Sequence, residues 1–260
     1  MKCSHSACLT GGGRLSFRSG QGFAGGGFHE KSHPELVSGT IKKLAFTLAE
    51  VLITLGIIGI VAAMTLPAII QKIDKQITVS KLKKSYATLQ EIIKLSEKDN
   101  GEVSEWTFPN EEGIIDVNSN FYKKYFDPYV KTITKKTNGN DESLTYSIHN
   151  IDGDRCFYYY TWRLLSDGVA IGMFSNITYF WIFIDINGLK SPNRLGIDIF
   201  MTELKRNKRL VMLWNQKNRN ILIKDTNYAC KKGMHAPYAG GYCGALIQYD
   251  GWQIKEDYPW

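Results

Sequence analysis

Between Phe46 and Ile70 the chain runs FTLAEVLITLGIIGIVAAMTLPAII, and only Glu50 in it is charged. A helix needs about 20 predominantly apolar residues to cross the hydrocarbon core of a bilayer, so this run is long enough to span one. Lys42 and Lys43 precede it. The positive-inside tendency then predicts a cytoplasmic N-terminus and everything after Gln71 outside. A secretory signal peptide has a shorter apolar region followed by an A-x-A-like cleavage site. Here the small residue, Ala45, comes before the apolar run. A plain signal peptide fits poorly.

The helical pattern continues past the apolar run. In QKIDKQITVSKLKKSYATLQEIIKLSEK the apolar residues Ile73, Ile77, Leu82, Tyr86, Leu89, Ile92, Ile93 and Leu95 approximate one stripe, with lysines opposite. Asn100–Gly101 is a natural C-terminal stop. The spacing predicts one helix of roughly fifty residues, about 75 Å long, with residues 46–70 in the membrane and 71–100 as an amphipathic continuation. Pro67 withdraws a backbone donor and predicts a kink, or a bend adopted on packing. Gly56 and Gly59 weaken the same stretch and permit close helix approach.

The string KKLAFTLAEVLITLGIIGIVAAMTLPAII resembles the N-terminal processing and methylation motif of type IV pilins and type II secretion pseudopilins. In that family a small residue, usually glycine, precedes the cleaved bond, phenylalanine becomes the new N-terminus, and a glutamate follows four residues later. Those roles fall here on Ala45, Phe46 and Glu50, with alanine in place of glycine, and the mid-helix proline falls on Pro67. The resemblance covers about the first thirty residues of the presumed mature chain; beyond them only the layout is similar. It implies cleavage by a prepilin peptidase, N-methylation of Phe46, and polymerisation through the N-terminal helix, with Glu50 and Pro67 as assembly residues. The implied partners are other pilin or pseudopilin subunits, the peptidase, an inner-membrane assembly platform and the lipid bilayer. Its implied location is the cytoplasmic membrane as a single pass, then an envelope filament. A carboxylate at mid-bilayer costs roughly 2.5–3.5 kcal/mol on insertion scales, so Glu50 either snorkels to water one turn away or has a partner. The resemblance supplies one, the Phe46 amine of a neighbouring subunit.

Residues 1–45 carry glycine runs at 11–13 and 25–27, little apolar periodicity and three of the five histidines, and read as a disordered leader. It is either removed or lies upstream of the true start. No methionine stands between Met1 and Met64, so a shorter leader requires another start codon, for instance at Leu36 or Val37. Cys3, His5 and Cys8 lack a fourth ligand for a metal cluster. The leader holds six basic residues against two acidic ones, so four of the seven net positive charges leave with it. That disfavours nucleic acid as the main partner.

Residues 101–260 read as one globular, β-rich domain. SNFYKKYFDPYVKTI suggests a short helix ending near Pro128, and TNGNDES a loop. LTYSIHN, RCFYYYTWRLL, VAIGMFS and TYFWIFIDIN are dense in aromatic and β-branched residues, as strands prefer. Turns at Ser166-Asp167-Gly168 and Ser175-Asn176 predict an antiparallel meander. The expected fold is therefore α+β, a long N-terminal helix packed on a C-terminal antiparallel sheet, the pilin-like arrangement.

Two features of this domain carry chemistry. In DINGLKSPNRLGID, Asp185, Asn187, Asn193 and Asp198 offer the oxygen ligands that calcium prefers. The spacing is not that of an EF-hand, and an Asx-rich turn is the competing reading. Some pseudopilins carry a calcium-bearing loop late in their sheet. Cys230 and Cys243 flank KKGMHAPYAGGY; outside the cytoplasm a disulfide is the default, contributing about 3 kcal/mol in the chain-entropy model. His235 between them gives only a loose three-ligand metal set, and Cys156 is the odd thiol, expected buried and free. The downstream histidines, His149 and His235, lie in no nucleophile, metal or phosphate motif, so an enzyme is not expected. The expected function is a structural filament subunit with no required cofactor. The alternative is a membrane-tethered module that binds a ligand such as glycan and does not polymerise; such a tether needs neither the processing site nor Glu50.

Overall fold

A computed structural model describes residues 46–109, 115–137, 147–156, 161–175, 180–188, 190–206, 210–214 and 218–260. Helix α1 (Leu48–Asn100) forms the predicted spine and runs unbroken past Pro67. Thr65 Oγ1 donates to the Val61 carbonyl at 3.0 Å, beside the place where Pro67 has no N–H to give. The helix ends at Gly101, whose φ of 78° is left-handed backbone that glycine adopts without strain. The leader, residues 1–45, lies outside the described residues.

The described residues divide into two units, one ending at Leu52 and one running from Ile53 to Trp260. Within the first, the described residues form a capping box. The Glu50 carboxylate accepts from Thr47 N and Thr47 Oγ1, both at 2.8 Å, and Thr47 Oγ1 accepts from Glu50 N at 3.2 Å.

Within the second unit, α1 changes character along its length. No large apolar side chain from Ile53 to Ile70 is buried, although Ile and Leu dominate there. Burial begins at Thr78 and follows Leu82, Ser85, Tyr86, Leu89, Ile92, Ile93 and Ser96, a repeat of three and four residues. Ile73, Ile77 and Leu95, which the sequence pattern places on this stripe, are 47%, 46% and 42% exposed. Ile77 sits one residue, about 100°, off the stripe. Thr78, Ser85 and Ser96 take the places where an apolar pattern finds a gap. Ser85 satisfies its hydroxyl on its own helix, donating to Lys81 O at 2.9 Å.

The buried stripe joins the core of a six-stranded antiparallel sheet whose strands lie side by side in chain order. These are β1 (Thr132–Thr137), β2 (Thr161–Leu165), β3 (Ala170–Ser175), β4 (Phe180–Asp185), β5 (Ile199–Leu204) and β6 (Leu210–Met212). Helix α2 (Ile115–Tyr125) precedes the sheet, and α3 (Arg219–Lys224) and α4 (Cys243–Tyr249) follow it. Every residue of β4 is buried, because both faces are covered. Phe180 meets Phe121 of α2 at 4.5 Å, whereas Trp181, on the opposite face, meets Tyr228 and Tyr238 at 6.3 and 5.8 Å. Gly172 pairs with Trp162, and a Cβ there would lie 2.7 Å from the indole. Tyr86 ties α1 to the sheet edge by donating to Leu210 O at 3.0 Å.

The sheet corrects part of the strand reading. The described end of LTYSIHN is no strand: His149 makes only isolated bridges. The Asn150 side chain accepts from Asp152 N and Asp154 N at 3.0 and 2.8 Å and turns the chain there. Cys156 accordingly sits outside the strands, although it is buried and free. Within RCFYYYTWRLL strand begins at Thr161, and residues 157–160 are outside the described residues, as are 138–146 and the Ser175–Asn176 turn at its second residue.

Candidate functional site

The connection from β4 to β5 contains all four oxygen-bearing residues singled out in the sequence. Asp185 closes β4 and pairs across the ladder with Ile199, and Asp198 immediately precedes β5. Asp185 is fully buried and Asp198 is 4% exposed. The Asp198 carboxylate organises the loop. It accepts from Asn193 N at 2.9 Å, Arg194 N at 2.6 Å and Asn187 Nδ2 at 3.0 Å. Asp185 Oδ1 accepts from Asn187 N at 3.0 Å. Asn193 holds a φ of 54°, a left-handed conformation that asparagine tolerates.

What distinguishes this loop from an ordinary Asx turn is its surplus of acceptors. Asp185 Oδ2, Asn187 Oδ1 and Asn193 Oδ1 are buried with no hydrogen-bond donor. A buried acceptor left without a donor costs about 1–3 kcal/mol, and a hard cation is the group that would satisfy several at once. Burial, with the neighbouring Asp198 charge, pushes the Asp185 carboxyl up to about 9, despite donors from Asn187 and Gly188. Burial also raises Asp198, against its backbone donors. Two buried carboxyls, both raised by burial, beside unsatisfied amide oxygens are a donor set suited to calcium.

The loop is braced from behind. Cys230 and Cys243 are joined by a disulfide with Cα atoms 4.7 Å apart. A Cβ on Gly196 would stand 2.5 Å from Cys243 Sγ, so only glycine lets the loop lie against the bridge. Tyr258, buried, donates its hydroxyl to Gly196 O at 2.5 Å. Reduction, or Cys243→Ser, is expected to destabilise the domain by about 3 kcal/mol, a fall of about 5–10 °C in melting temperature. Burial, then the Asp154 charge, pushes the Cys156 thiol up to about 12. Its Sγ donates to Pro237 O at 2.9 Å. Peptide mapping after alkylation of the native protein at pH 8 should therefore find Cys156 unmodified and unpaired.

A second cluster was only half visible in the sequence. Ligand atoms of Asp152, Asp154 and His235 lie within 4.8 Å of one another. Their donors are already engaged. Asp152 accepts from the backbone N–H groups of Gly233, Met234 and His235 at 2.6, 3.1 and 2.9 Å, and Asp154 Oδ2 lies 2.9 Å from His235 Nδ1. The Asp154 hydrogen bond holds His235 above its ordinary value, and the same bond holds Asp154 below its own. The arrangement clasps the disulfide loop to the turn at Asn150. Of the remaining predicted site residues, Phe46 and Glu50 lie at the start of α1, Phe46 84% exposed, and Pro67 lies on its exposed apolar stretch; Ala45 is outside the described residues. Thr47 was missed along with Asp152 and Asp154, although T-x-x-E before an apolar run is a legible capping-box signal.

Among the described residues one helix, α1, is long and apolar enough to cross a membrane. A family model described as "Family of unknown function (DUF6613)" matches residues 68–260, so its match starts one residue after Pro67 and takes in the rest of α1 and the whole sheet domain. No curated protein and no solved structure matches the chain.

Proposed function

The chain belongs to that family of unknown function, and we propose that it is a structural subunit of a type IV pilus or type II secretion pseudopilus rather than an enzyme. In this reading a prepilin peptidase removes residues 1–45, Phe46 is N-methylated, and the subunit is held in the cytoplasmic membrane with its sheet domain outside. Handover to an assembly platform then transfers the apolar half of α1 from lipid to a bundle of like helices. The observation that carries the reading is the division of α1, exposed and apolar through Ile70 and buried in the domain from Thr78. A helix of this kind needs lipid or other copies of itself around its first half. The motif FTLAE at its start narrows that need to the pilin kind. The disulfide supports an oxidising location for the domain. Calcium on Asp185, Asn187, Asn193 and Asp198 belongs to the same proposal, as a structural cation that locks the β4–β5 loop.

Intact-mass analysis of protein recovered from the envelope tests the reading. The expected species is Phe46–Trp260 bearing one methyl group and one disulfide. Recovery of Met1 or another upstream residue as the N-terminus, with the peptidase present, would overturn it and leave a tethered binding module.

A further inference from the structure

Where α1 leaves the apolar stretch, it forms one wall of a groove of about 530 Å³ whose other wall is the segment after α4. Lys72, Lys75, Gln76 and Val79 face it at spacings of three, four and seven residues, one stripe of the helix, and Trp252 and Ile254 close it. Specific backbone geometry holds the closing wall. Gly251 and Trp252 are both left-handed, with φ of 77° and 61°, and Trp252 N donates to Ile247 O at 2.8 Å. A bulky residue rarely adopts this backbone. Here it sets the indole 5.9 Å from the Tyr86 ring, with Lys83 Nζ 5.9 Å from the indole centroid.

Depth and charge identify the occupant. At 1.5 Å per residue, Lys72 and Lys75 stand about 3 and 8 Å beyond Ile70. That is the headgroup layer, since the polar regions add roughly 5–8 Å to each side of the hydrocarbon core. Lys72, Lys75, Lys81, Lys83 and Lys84 all follow within fourteen residues of Ile70, against Lys42 and Lys43 before the span. On the disulfide-bearing side such an excess runs against the positive-inside tendency, so it calls for a countercharge there. We infer that this groove binds the headgroup of an anionic phospholipid, with Lys72 and Lys75 on the phosphate and Trp252 and Ile254 as the facing wall. The inference rests on the membrane-spanning reading of α1 but not on cleavage or polymerisation.

The test uses the full chain in neutral detergent, titrated with short-chain phosphatidylglycerol, phosphatidylcholine or inorganic phosphate and read by native mass spectrometry. Phosphatidylglycerol should bind at least about tenfold more tightly than phosphatidylcholine. Lys72→Ala with Lys75→Ala should erase that preference, Lys72→Arg with Lys75→Arg should keep it, and Lys123→Ala with Lys124→Ala on α2 should leave it unchanged. Equal binding of the two lipids, or an unchanged preference in the Lys72/Lys75 alanine variant, overturns the inference. Competition by phosphate as effective as by lipid makes this a free-anion site and also overturns it. Loss of self-association without loss of lipid in that variant assigns the groove to a second copy and overturns it as well. None of these results bears on the N-terminus found by intact mass, so either proposal can fail alone.

Discussion

Millimolar calcium is expected to raise the melting temperature of the protein by about 5–10 °C, and chelator to remove the gain. A ligand at one hundred times its dissociation constant stabilises by about 2.7 kcal/mol, and each kcal/mol moves a domain of this size by roughly 2–4 °C. The pH dependence follows from Asp185, whose carboxyl is pushed up to about 9, and from Asp198, which is also raised. Both groups hold their protons more strongly folded than unfolded. Their contribution to stability is therefore fully present below the ordinary carboxylate value and is lost as pH climbs towards about 9. Calcium takes the deprotonated form and replaces the proton. The calcium gain should thus be larger at pH 8 than at pH 6, with proton release on binding. Asp185→Asn imitates the protonated acid, so it should abolish the calcium gain while leaving the calcium-free protein as stable or more so at pH 8. A melting temperature indifferent to calcium and chelator at both pH values would reduce the loop to an Asx turn.

The second large effect concerns Glu50, for which two roles now compete. It caps its own helix through Thr47, and the filament reading gives it the Phe46 amine of a neighbouring subunit. Substitutions separate them. Glu50→Ala removes both the cap and the charge. Glu50→Gln keeps a capping-box residue and loses only the charge. Thr47→Ala breaks the cap and keeps the charge, at a cost of about 1 kcal/mol to the first turn. Breaking a desolvated ion pair by removing one partner costs about 3–5 kcal/mol, so both Glu50 variants should lower filament abundance on the order of a hundredfold. Membrane insertion and cleavage should persist, and Thr47→Ala should assemble. Normal filaments from Glu50→Gln would leave Glu50 as a helix cap alone.

The sequence was most informative where a single period runs long. Fifty residues of helical pattern located α1 to its last residue, because Gly101 offers the left-handed stop that Asn100–Gly101 announces. The strands VAIGMFS and TYFWIFIDIN were legible by their density of aromatic and β-branched residues, and β4 is buried throughout. Reading failed where local side chains overrule the pattern. Asn150 bends a segment whose aromatic and β-branched content suggests a strand. The edge strands β1 and β6 and the six- and seven-residue helices α3 and α4 are held by packing, which spacing does not report. At the loop, residue types revealed Asp185 to Asp198, but their unsatisfied oxygens are a property of the fold. The clasp of Asp152 and Asp154 on His235 joins residues more than eighty apart, so only His235, noticed for its place between the cysteines, was legible.

The brace behind the β4–β5 loop imposes an order on the life of the molecule. Gly196 is anchored by Tyr258, sixty-two residues further along the chain, and lies against a bridge that needs Cys243. In the membrane reading the apolar half of α1 is inserted long before those residues have crossed. The subunit is thus moored first and finished last, with its oxygen-lined loop open until translocation and oxidation are complete. A quality check that sampled this loop would distinguish a mature subunit from one still in transit, and would do so before any filament could admit it.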